Sequence, residues 1–340
     1  MAPETRTANQ PTPALLFDTI NAHQRTQSIK AAIELDLFTV IAAGKTSARE
    51  ISQACGASER GTRILCDYLV IIGFLTKEGD NYGLTADSAK FLDKKSPAYM
   101  GTVIEFMLSP MLTDNFKDLT AVVRKGGSIT DEGTISPENP VWVKFARAMA
   151  PMMALPAQLL APMVDPNANE KLKVLDIAAG HGLYGLAFAN RNPQAEVTAV
   201  DWAGVLEVAK ENAQSAGVSD RYHTKPGSAF DVDYGAGYDI VLLTNFLHHF
   251  DPKTCEVLLR KVHGALAEGG RAVTLEFIPN PDRVSPPQAA AFSLMMLGGT
   301  PAGDAYTYAE FETMFRHAGF AHNEWHELPP TIQRVVISQK

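Results

Sequence analysis

The chain has 340 residues, of which 46% are hydrophobic, and its net charge is −8. This length predicts two domains, and the apolar share suffices for well-buried cores. The first hundred residues are neutral, so the negative charge lies in residues 101–340. Neither part offers the positive surface that nucleic acid requires. No apolar run approaches the roughly 20 residues of a membrane span.

Residues 1–13 are polar and include Pro11 and Pro13, and we expect them to be flexible. They lack a basic start followed by an apolar run, so we expect no signal peptide. The three cysteines, Cys55, Cys66 and Cys255, show no paired spacing and cannot all pair with one another. Reduced thiols are typical of a cytoplasmic protein, which is the location we expect.

Residues 14–100 are predicted to form a compact, mainly helical domain. Apolar residues recur at helical spacing over residues 15–37. Ser47 and Glu50 form a capping box that begins a helix, and a second capped helix follows. Two short extended runs flank residues 79–81, which is a hairpin signal. This succession predicts a winged helix-turn-helix.

A winged helix-turn-helix can bind DNA or pack against another protein. The candidate recognition helix offers only Arg60 and Arg63 as basic residues, and its remaining surface is apolar. Such a surface favours a protein partner over phosphates. We therefore expect this domain to form a homodimer, with neither nucleic acid nor membrane as partner. A DNA-binding regulator that senses a ligand is the alternative.

Residues 101–165 are predicted to be a helical linker that covers the substrate, and residues 166–340 a separate α/β domain. In the latter, apolar strand candidates alternate with amphipathic helices, which predicts a parallel sheet covered on both faces. Two further segments at the end predict a closing antiparallel pair. The predicted strands are residues 173–179, 195–201, 221–227, 238–245, 271–279, 321–328 and 331–339.

The segment VLDIAAGHGLYG, residues 174–185, is a strand followed by a turn of small residues and a helix. Ligands bind at such strand ends, and the turn alone fits NAD, FAD or S-adenosylmethionine (SAM). Asp201 ends the next strand, where an acid can bind both ribose hydroxyls. Asp176 precedes the turn, where it would repel a pyrophosphate but suit the amino group of methionine. The residues therefore favour SAM.

The segments VLDIAAGHG, AVDW, GSAFD and LLTNFLHHFD resemble, in this order, the motifs of class I SAM-dependent O-methyltransferases. The resemblance covers nearly the whole chain. The chain is similar to plant caffeate and flavonoid O-methyltransferases and to bacterial enzymes that act on antibiotics and pigments. The resemblance implies a Rossmann-like sheet of seven strands after a winged-helix dimerisation domain, SAM as cofactor, S-adenosylhomocysteine as product, and no metal.

The resemblance also implies a cofactor site. It places Asp176, Gly180 and Gly182 at the methionine end and Asp201 at the ribose. Two departures are that Ala178 replaces the first loop glycine and Ser228 replaces the acid that commonly binds adenine. The remaining implied contacts are Trp202, Ser228, Ala229 and Phe230 around the adenine, and Asn245 at the fourth strand.

The loop FLHHFDP is predicted to carry the reaction. Methyl transfer from a sulfonium to a hydroxyl is helped by removal of the hydroxyl proton, and an imidazole can accept that proton. His248 matches the general base of the family, and Glu276 matches the acid that orients it. His249 stands where the family often has Asp. A second acid of the plant enzymes is missing, because Ala305 takes its place beside Asp304.

Apolar residues cluster where the family builds the acceptor pocket, and we name Phe145, Met149 and Met296 as candidate substrate contacts. The same residues fit a helix core or a dimer interface equally well. The predicted reaction is methyl transfer to a hydroxyl of a small aromatic or polyketide-like metabolite. Alternatives are C- or N-methylation, or a recruited SAM-assisted hydroxylase, decarboxylase or pericyclase, because a fold does not fix its chemistry.

Overall fold

The computed structural model describes residues 11–130, 140–165 and 167–340. Residues 1–10 of the predicted flexible N-terminus therefore lie outside the described residues. The chain divides into two compact units between Gly101 and Thr102. This division falls beside the predicted domain boundary at residue 100, and the predicted helical region 101–165 belongs to the second unit.

The first unit has the predicted winged helix-turn-helix. The Ser47 hydroxyl accepts the N–H of Glu50, and the Glu50 carboxylate accepts the N–H of Ser47, so the predicted capping box begins the fourth helix. Gly56 ends that helix in a left-handed conformation. The elements are α1 (Ala14–Ile20), α2 (Ala22–Glu34), α3 (Leu37–Ala42), α4 (Ala48–Cys55), α5 (Glu59–Ile71), β1 (Leu75–Glu78), β2 (Asn81–Leu84) and α6 (Ala86–Phe91).

Helix α1 contributes nothing to the core of this unit. Its four large apolar side chains, Leu15, Leu16, Phe17 and Ile20, are 57–64% exposed, and no residue of the helix is buried. The core is formed instead by the helices and the hairpin that follow, with residues such as Leu37, Phe38, Ile51, Leu69 and Tyr82. Apolar side chains exposed together in this way are typical of a surface that contacts a partner.

The described part of the second unit begins with four α-helices and continues as an alternating α/β domain. The early helices are α7 (Ile104–Met107), α8 (Pro110–Thr113), α9 (Leu119–Lys125) and α10 (Val141–Val164). The alternating part consists of β3 (Leu172–Ile177), α11 (Leu183–Arg191), β4 (Ala195–Asp201), α12 (Ala203–Ser215), β5 (Tyr222–Pro226), β6 (Tyr238–Thr244), α13 (Pro252–Ala265), β7 (Leu266–Glu276), α14 (Pro287–Gly299), α15 (Tyr308–His317), β8 (His322–Glu327) and β9 (Arg334–Gln339).

The seven strands β3–β9 form one sheet in the order β5-β4-β3-β6-β7-β9-β8. All neighbours are parallel except β9, which is antiparallel to β7 and β8. The predicted Rossmann-like fold is confirmed. From β3 the chain adds β4 and then β5 on one side of β3, and it then crosses to the other side, where β6 pairs with β3. The strand order therefore reverses at the ends of β3 and β6, and ligands bind at this point in such sheets.

Strand β7 begins five residues earlier than predicted, at Leu266. The pairing with β6 shifts register between Tyr238 and Ile240, which accommodates Gly269 and Gly270 as an irregularity within the strand. Gly269 has a φ of 74°, a conformation that glycine adopts without strain. In the sequence the two glycines resemble a turn, so sequence alone predicts that the strand begins only after them.

Both faces of the sheet are covered by apolar clusters. One joins the sheet to α10, α11 and α12 through residues such as Leu160, Phe188 and Leu206. The other joins it to α13 and α15 through Leu258 and Phe315. None of the helices in the described ranges combines the length and apolarity that a membrane span needs.

Candidate active site

The carboxylate of Asp176 lies at the end of β3 and is fully buried. Its Oδ2 accepts the N–H of Gly185 at 2.9 Å, whereas Oδ1 has no hydrogen-bond partner among the described residues. A Cβ on Gly185 would lie 2.9 Å from Oδ2, so glycine allows α11 to approach the acid. Burial, together with the charge of Asp201, raises the pKa of Asp176 to about 7. An unpaired buried oxygen of this kind fits an ammonium group.

The loop after Asp176 turns left-handed at every second residue. Ala178, Gly180 and Gly182 have φ values of 55°, 57° and 76°. Alanine adopts this conformation less readily than glycine, yet the turn forms with Ala178 in it. A Cβ on Gly182 would lie 2.5 Å from the hydroxyl of Tyr222, which requires glycine there. Small residues in such turns would allow a ligand to approach the backbone closely at the start of α11.

Asp201 ends β4 and ties this loop to the next helix. Its carboxylate accepts the N–H of Gly180 at 2.8 Å and the N–H of Trp202 at 2.7 Å. Burial raises the pKa of Asp201 to about 6. Each carboxylate oxygen can accept a second hydrogen bond, as a ribose diol would supply. Trp202 packs with Ala146, Val205 and Val208 at the start of α12.

Three of the predicted adenine residues, Ser228, Ala229 and Phe230, lie in the loop after β5. The hydroxyl of Ser228 accepts the N–H of Phe230 at 3.1 Å, and the Phe230 ring meets Phe250 edge-on at 5.1 Å. The ammonium of Lys261 donates to the carbonyls of Ala229 and Phe230 at 3.1 and 2.7 Å. Lys261 therefore fixes this loop from α13, a role that sequence reasoning missed.

Asn245 follows β6 with a φ of 55°. Its Nδ2 donates to the hydroxyl of Tyr184 at 3.3 Å, and its Oδ1 accepts from Nε2 of Gln333. The hydroxyl of Tyr184 donates to Sδ of Met153 at 3.4 Å. Sequence reasoning named Asn245 but neither Tyr184 nor Gln333.

The structure brings His248 and Glu276 together. His248 lies in a short 3-10 helix, Leu247–His249, after β6, and Glu276 ends β7; their side chains are 6% and 1% exposed. Nδ1 of His248 lies 2.5 Å from Oε2 of Glu276. Oε1 accepts the N–H groups of Phe246, Leu247 and His248 at 2.9, 3.0 and 3.4 Å. The carboxylate thus fixes both the ring and its backbone, which leaves Nε2 as the nitrogen able to accept a proton.

Aromatic rings surround His248. Phe292 of α14 meets the His248 ring edge-on at 4.8 Å and stacks on Phe277 at 4.2 Å. The His249 ring lies 4.4 Å from that of His248 and 5.5 Å from that of Trp142. Burial, reinforced by His248, lowers the pKa of His249 well below the usual histidine value. His249 is therefore a neutral neighbour of the candidate base.

Residues 303–305 close the site from another side. A Cβ on Gly303 would overlap the carbonyl oxygen of His248, so the two segments are in direct contact. Asp304 forms an ion pair with Arg283 at 3.2 Å, and Ala305 is buried. Within the described ranges, no group of three or more His, Cys, Asp or Glu side chains is placed to hold a metal ion.

Residues 125–321 match the family model of the O-methyltransferase domain, and residues 17–94 match that of the O-methyltransferase dimerisation domain. The chain belongs to the O-methyltransferase family. It is 30% identical to 3-hydroxy-5-methyl-1-naphthoate 3-O-methyltransferase of Streptomyces sahachiroi, over 90% of this chain and 89% of that protein. It is 29% identical to L-tyrosine C(3)-methyltransferase of Streptomyces lavendulae, over 91% and 85%.

Among solved structures, a candidate O-methyltransferase of Nostoc punctiforme PCC 73102 superimposes with a TM-score of 0.94. It shares 60% sequence identity, and the match covers 98% of this chain and 100% of that one. The prediction of a SAM-dependent O-methyltransferase with a dimerisation domain is confirmed at the level of the family.

The three predicted acceptor contacts of this methyltransferase, Phe145, Met149 and Met296, differ from one another in their surroundings. Phe145 packs edge-on against Phe106 and Trp142, with ring centroids 4.8 and 5.4 Å apart, and its ring borders Gly180. Met149 and Met296 are almost completely buried. The contact of these three residues with an acceptor stays a prediction, as do the individual cofactor contacts.

Proposed function

We propose that this enzyme methylates a hydroxyl of a small aromatic or polyketide-like metabolite, with His248 as general base and Glu276 as the acid that orients it. The observation that carries the proposal is the buried His248–Glu276 pair, 2.5 Å apart, at the strand ends beside the cofactor loop. The relative from Streptomyces sahachiroi, named for a naphthoate substrate, supports an aromatic acceptor.

The residues of the cofactor loop fit SAM. Asp176 offers an unpaired buried oxygen for the amino group of methionine, and Asp201 offers acceptors for the ribose hydroxyls. When bound, SAM supplies an electrophilic methyl group on a sulfonium and becomes S-adenosylhomocysteine. Lys261 and Ser228 hold the loop on which adenine is expected to rest.

His248 has the arrangement of a general base. Its Nδ1–H donates to Glu276, so Nε2 accepts the hydroxyl proton while the acceptor oxygen forms its bond to the methyl carbon and the carbon–sulfur bond breaks. Glu276 stabilises the imidazolium that forms and holds its tautomer. Phe292 and the neutral His249 exclude water around the ring, which suits a reaction that removes the sulfonium charge.

C-methylation is the second candidate, because one relative is named L-tyrosine C(3)-methyltransferase. The same base would deprotonate a phenol and thereby activate the carbon beside it. The products separate the two candidates, since an O-methyl ether retains every ring hydrogen and a C-methyl phenol loses one.

A homodimer through the first unit is part of this proposal. The match to the dimerisation domain and the exposed apolar side chains of α1 support it. The three cysteines are free thiols, which supports the cytoplasm as the location of the enzyme.

The test is incubation with labelled SAM and a panel of phenolic and polyketide-like compounds, with product analysis by mass spectrometry. We expect transfer of label to a hydroxyl of at least one aromatic acceptor, and its loss in the His248→Ala variant. Binding of SAM without transfer to any member of the panel would contradict methylation of this substrate class.

A further inference from the structure

Asn245 occupies the position where the cofactor loop, β6 and the candidate base meet. It follows β6 directly and precedes His248 by three residues. Its N–H donates to the carbonyl of Leu275 at 2.8 Å, which fixes its backbone to β7. The orientation of its side-chain amide then depends only on the groups around that amide.

Gln333 is the first of these groups. It lies just before β9, is 4% exposed, and donates through Nε2 to Oδ1 of Asn245. Its own N–H donates to the hydroxyl of Thr331 at 3.3 Å. A buried amide that loses its partners is costly, and this contact pairs the Oδ1 end of Asn245 with Gln333.

Tyr184 is the second group. It is 2% exposed on α11, accepts from Nδ2 of Asn245, and donates to Sδ of Met153. Burial raises the pKa of its phenol, so the hydroxyl stays neutral and keeps its proton. The hydroxyl lies within electrostatic reach of both Asp176 and Glu276, the acids of the cofactor loop and of the candidate base.

These contacts link four neutral groups in one chain, Gln333–Asn245–Tyr184–Met153, and Nδ2 of Asn245 also donates to Sδ of Met153 at 3.8 Å. A neutral chain suits the neighbourhood of a sulfonium. A carboxylate there would stabilise the positive charge of the bound cofactor, and the transition state, in which that charge is disappearing, would gain less. The orientation of the Asn245 amide decides whether Oδ1 or Nδ2 points towards Gln333, and therefore which of the two atoms points towards Tyr184.

We propose that Gln333 and Tyr184 are positioning residues that hold the amide of Asn245 in one orientation for binding the methionine end of SAM. This inference rests on the proposed function, because it takes Asn245 as a cofactor contact. It gives positioning roles to Gln333, which lies just before β9, and to Tyr184 on α11. Neither residue takes part in the methyl transfer itself.

The test compares Tyr184→Phe, which removes one hydroxyl, with Gln333→Glu, whose carboxylate cannot donate to Asn245 and forces the amide to turn. The matched control is Tyr308→Phe, which removes a hydroxyl that donates to the carbonyl of Asn323 at 2.9 Å, at β8. Each variant is titrated with SAM by calorimetry and assayed for kcat and for KM of the acceptor, with thermal unfolding to confirm folding.

We expect each test variant to weaken SAM binding about tenfold, the scale of one lost hydrogen bond, while the KM of the acceptor changes less than about twofold. In an Asn245→Ala background, neither substitution should weaken binding further, because both act through that amide. The control should bind SAM like the wild type.

Two results would overturn the inference: wild-type SAM affinity in both test variants, or losses that add fully to that of Asn245→Ala. The calorimetric measurement needs no acceptor. An enzyme that binds SAM but methylates nothing in the panel therefore contradicts the proposed function while still testing the inference.

Discussion

Replacing Glu276 by Gln probes the candidate base at nearly constant volume. In the wild type, Oε1 accepts three backbone N–H groups and Oε2 faces Nδ1 of His248. The glutamine oxygen must remain on the side of the three donors, since an amide NH2 there would face donors only. The new NH2 group therefore points at Nδ1 of His248.

An NH2 group at this position inverts the tautomer of His248. Nδ1 must then accept, so the ring proton moves to Nε2, which can no longer take a proton from the acceptor. Loss of a general base costs about 10²–10⁴ in rate, or about 3–5 kcal/mol of barrier. The hydrogen bonds in the structure therefore predict that Glu276→Gln costs about as much as removal of His248.

The assay is kcat with labelled SAM for Glu276→Gln and His248→Ala, with SAM affinity measured by calorimetry. Cofactor affinity should stay within about twofold of the wild type. The matched control is Glu256→Gln, which changes a second His–Glu pair, with His317 at 2.8 Å on the surface, and should leave kcat unchanged. A folded Glu276→Gln enzyme that retains the wild-type kcat within about threefold would refute the reasoning.

Further predictions concern the cofactor, the loop of the base and the dimer. Burial raises the pKa of Asp176 to about 7 and that of Asp201 to about 6, so SAM binding should release protons and weaken as pH falls from 8 to 5; binding that calorimetry finds independent of pH would contradict this. Asp201→Ala should cost about 2–4 kcal/mol of SAM affinity, and unchanged affinity would refute its ribose contact. Gly303→Ala should displace the His248 backbone and lower both kcat and the melting temperature, whereas Gly264→Ala, in an open part of α13, should do neither. Phe17→Asp on α1 should give a monomer by light scattering, and an unchanged dimer would exclude α1 from the interface.

Features set by residues close together in the chain were predictable from the sequence. The capping box at Ser47, the Asp251–Pro252 start of α13 and most strand boundaries depend on local hydrogen bonds and alternation. Asp176 and Asp201 followed from their places at strand ends. The pairing of His248 with Glu276 followed from the resemblance to a family and from adjacent strands in the sheet.

The remaining parts of the site depend on contacts between distant segments. Gln333 contacts Asn245 because β9 lies antiparallel between β7 and β8 in the sheet. No local sequence pattern predicts this strand order. Lys261 resembles an ordinary solvent-facing lysine of an amphipathic helix. Tyr184 resembles a core residue, and only its hydroxyl bonds to Asn245 and Met153 set it apart.

Oδ1 of Asp176 is buried without a hydrogen-bond partner among the described residues, and it is also the atom expected to bind the cofactor. Stability of the fold and binding of the cofactor therefore make opposite demands on this residue. A buried acid whose pKa is raised by folding is tolerated while it is protonated, at pH below about 4, and it destabilises the fold progressively as pH rises through about 7. Near neutral pH the protein without cofactor thus keeps a destabilising group that a ligand cation would relieve. Selection for a more stable protein alone would replace this acid, and under the proposed function it is retained because it binds the cofactor.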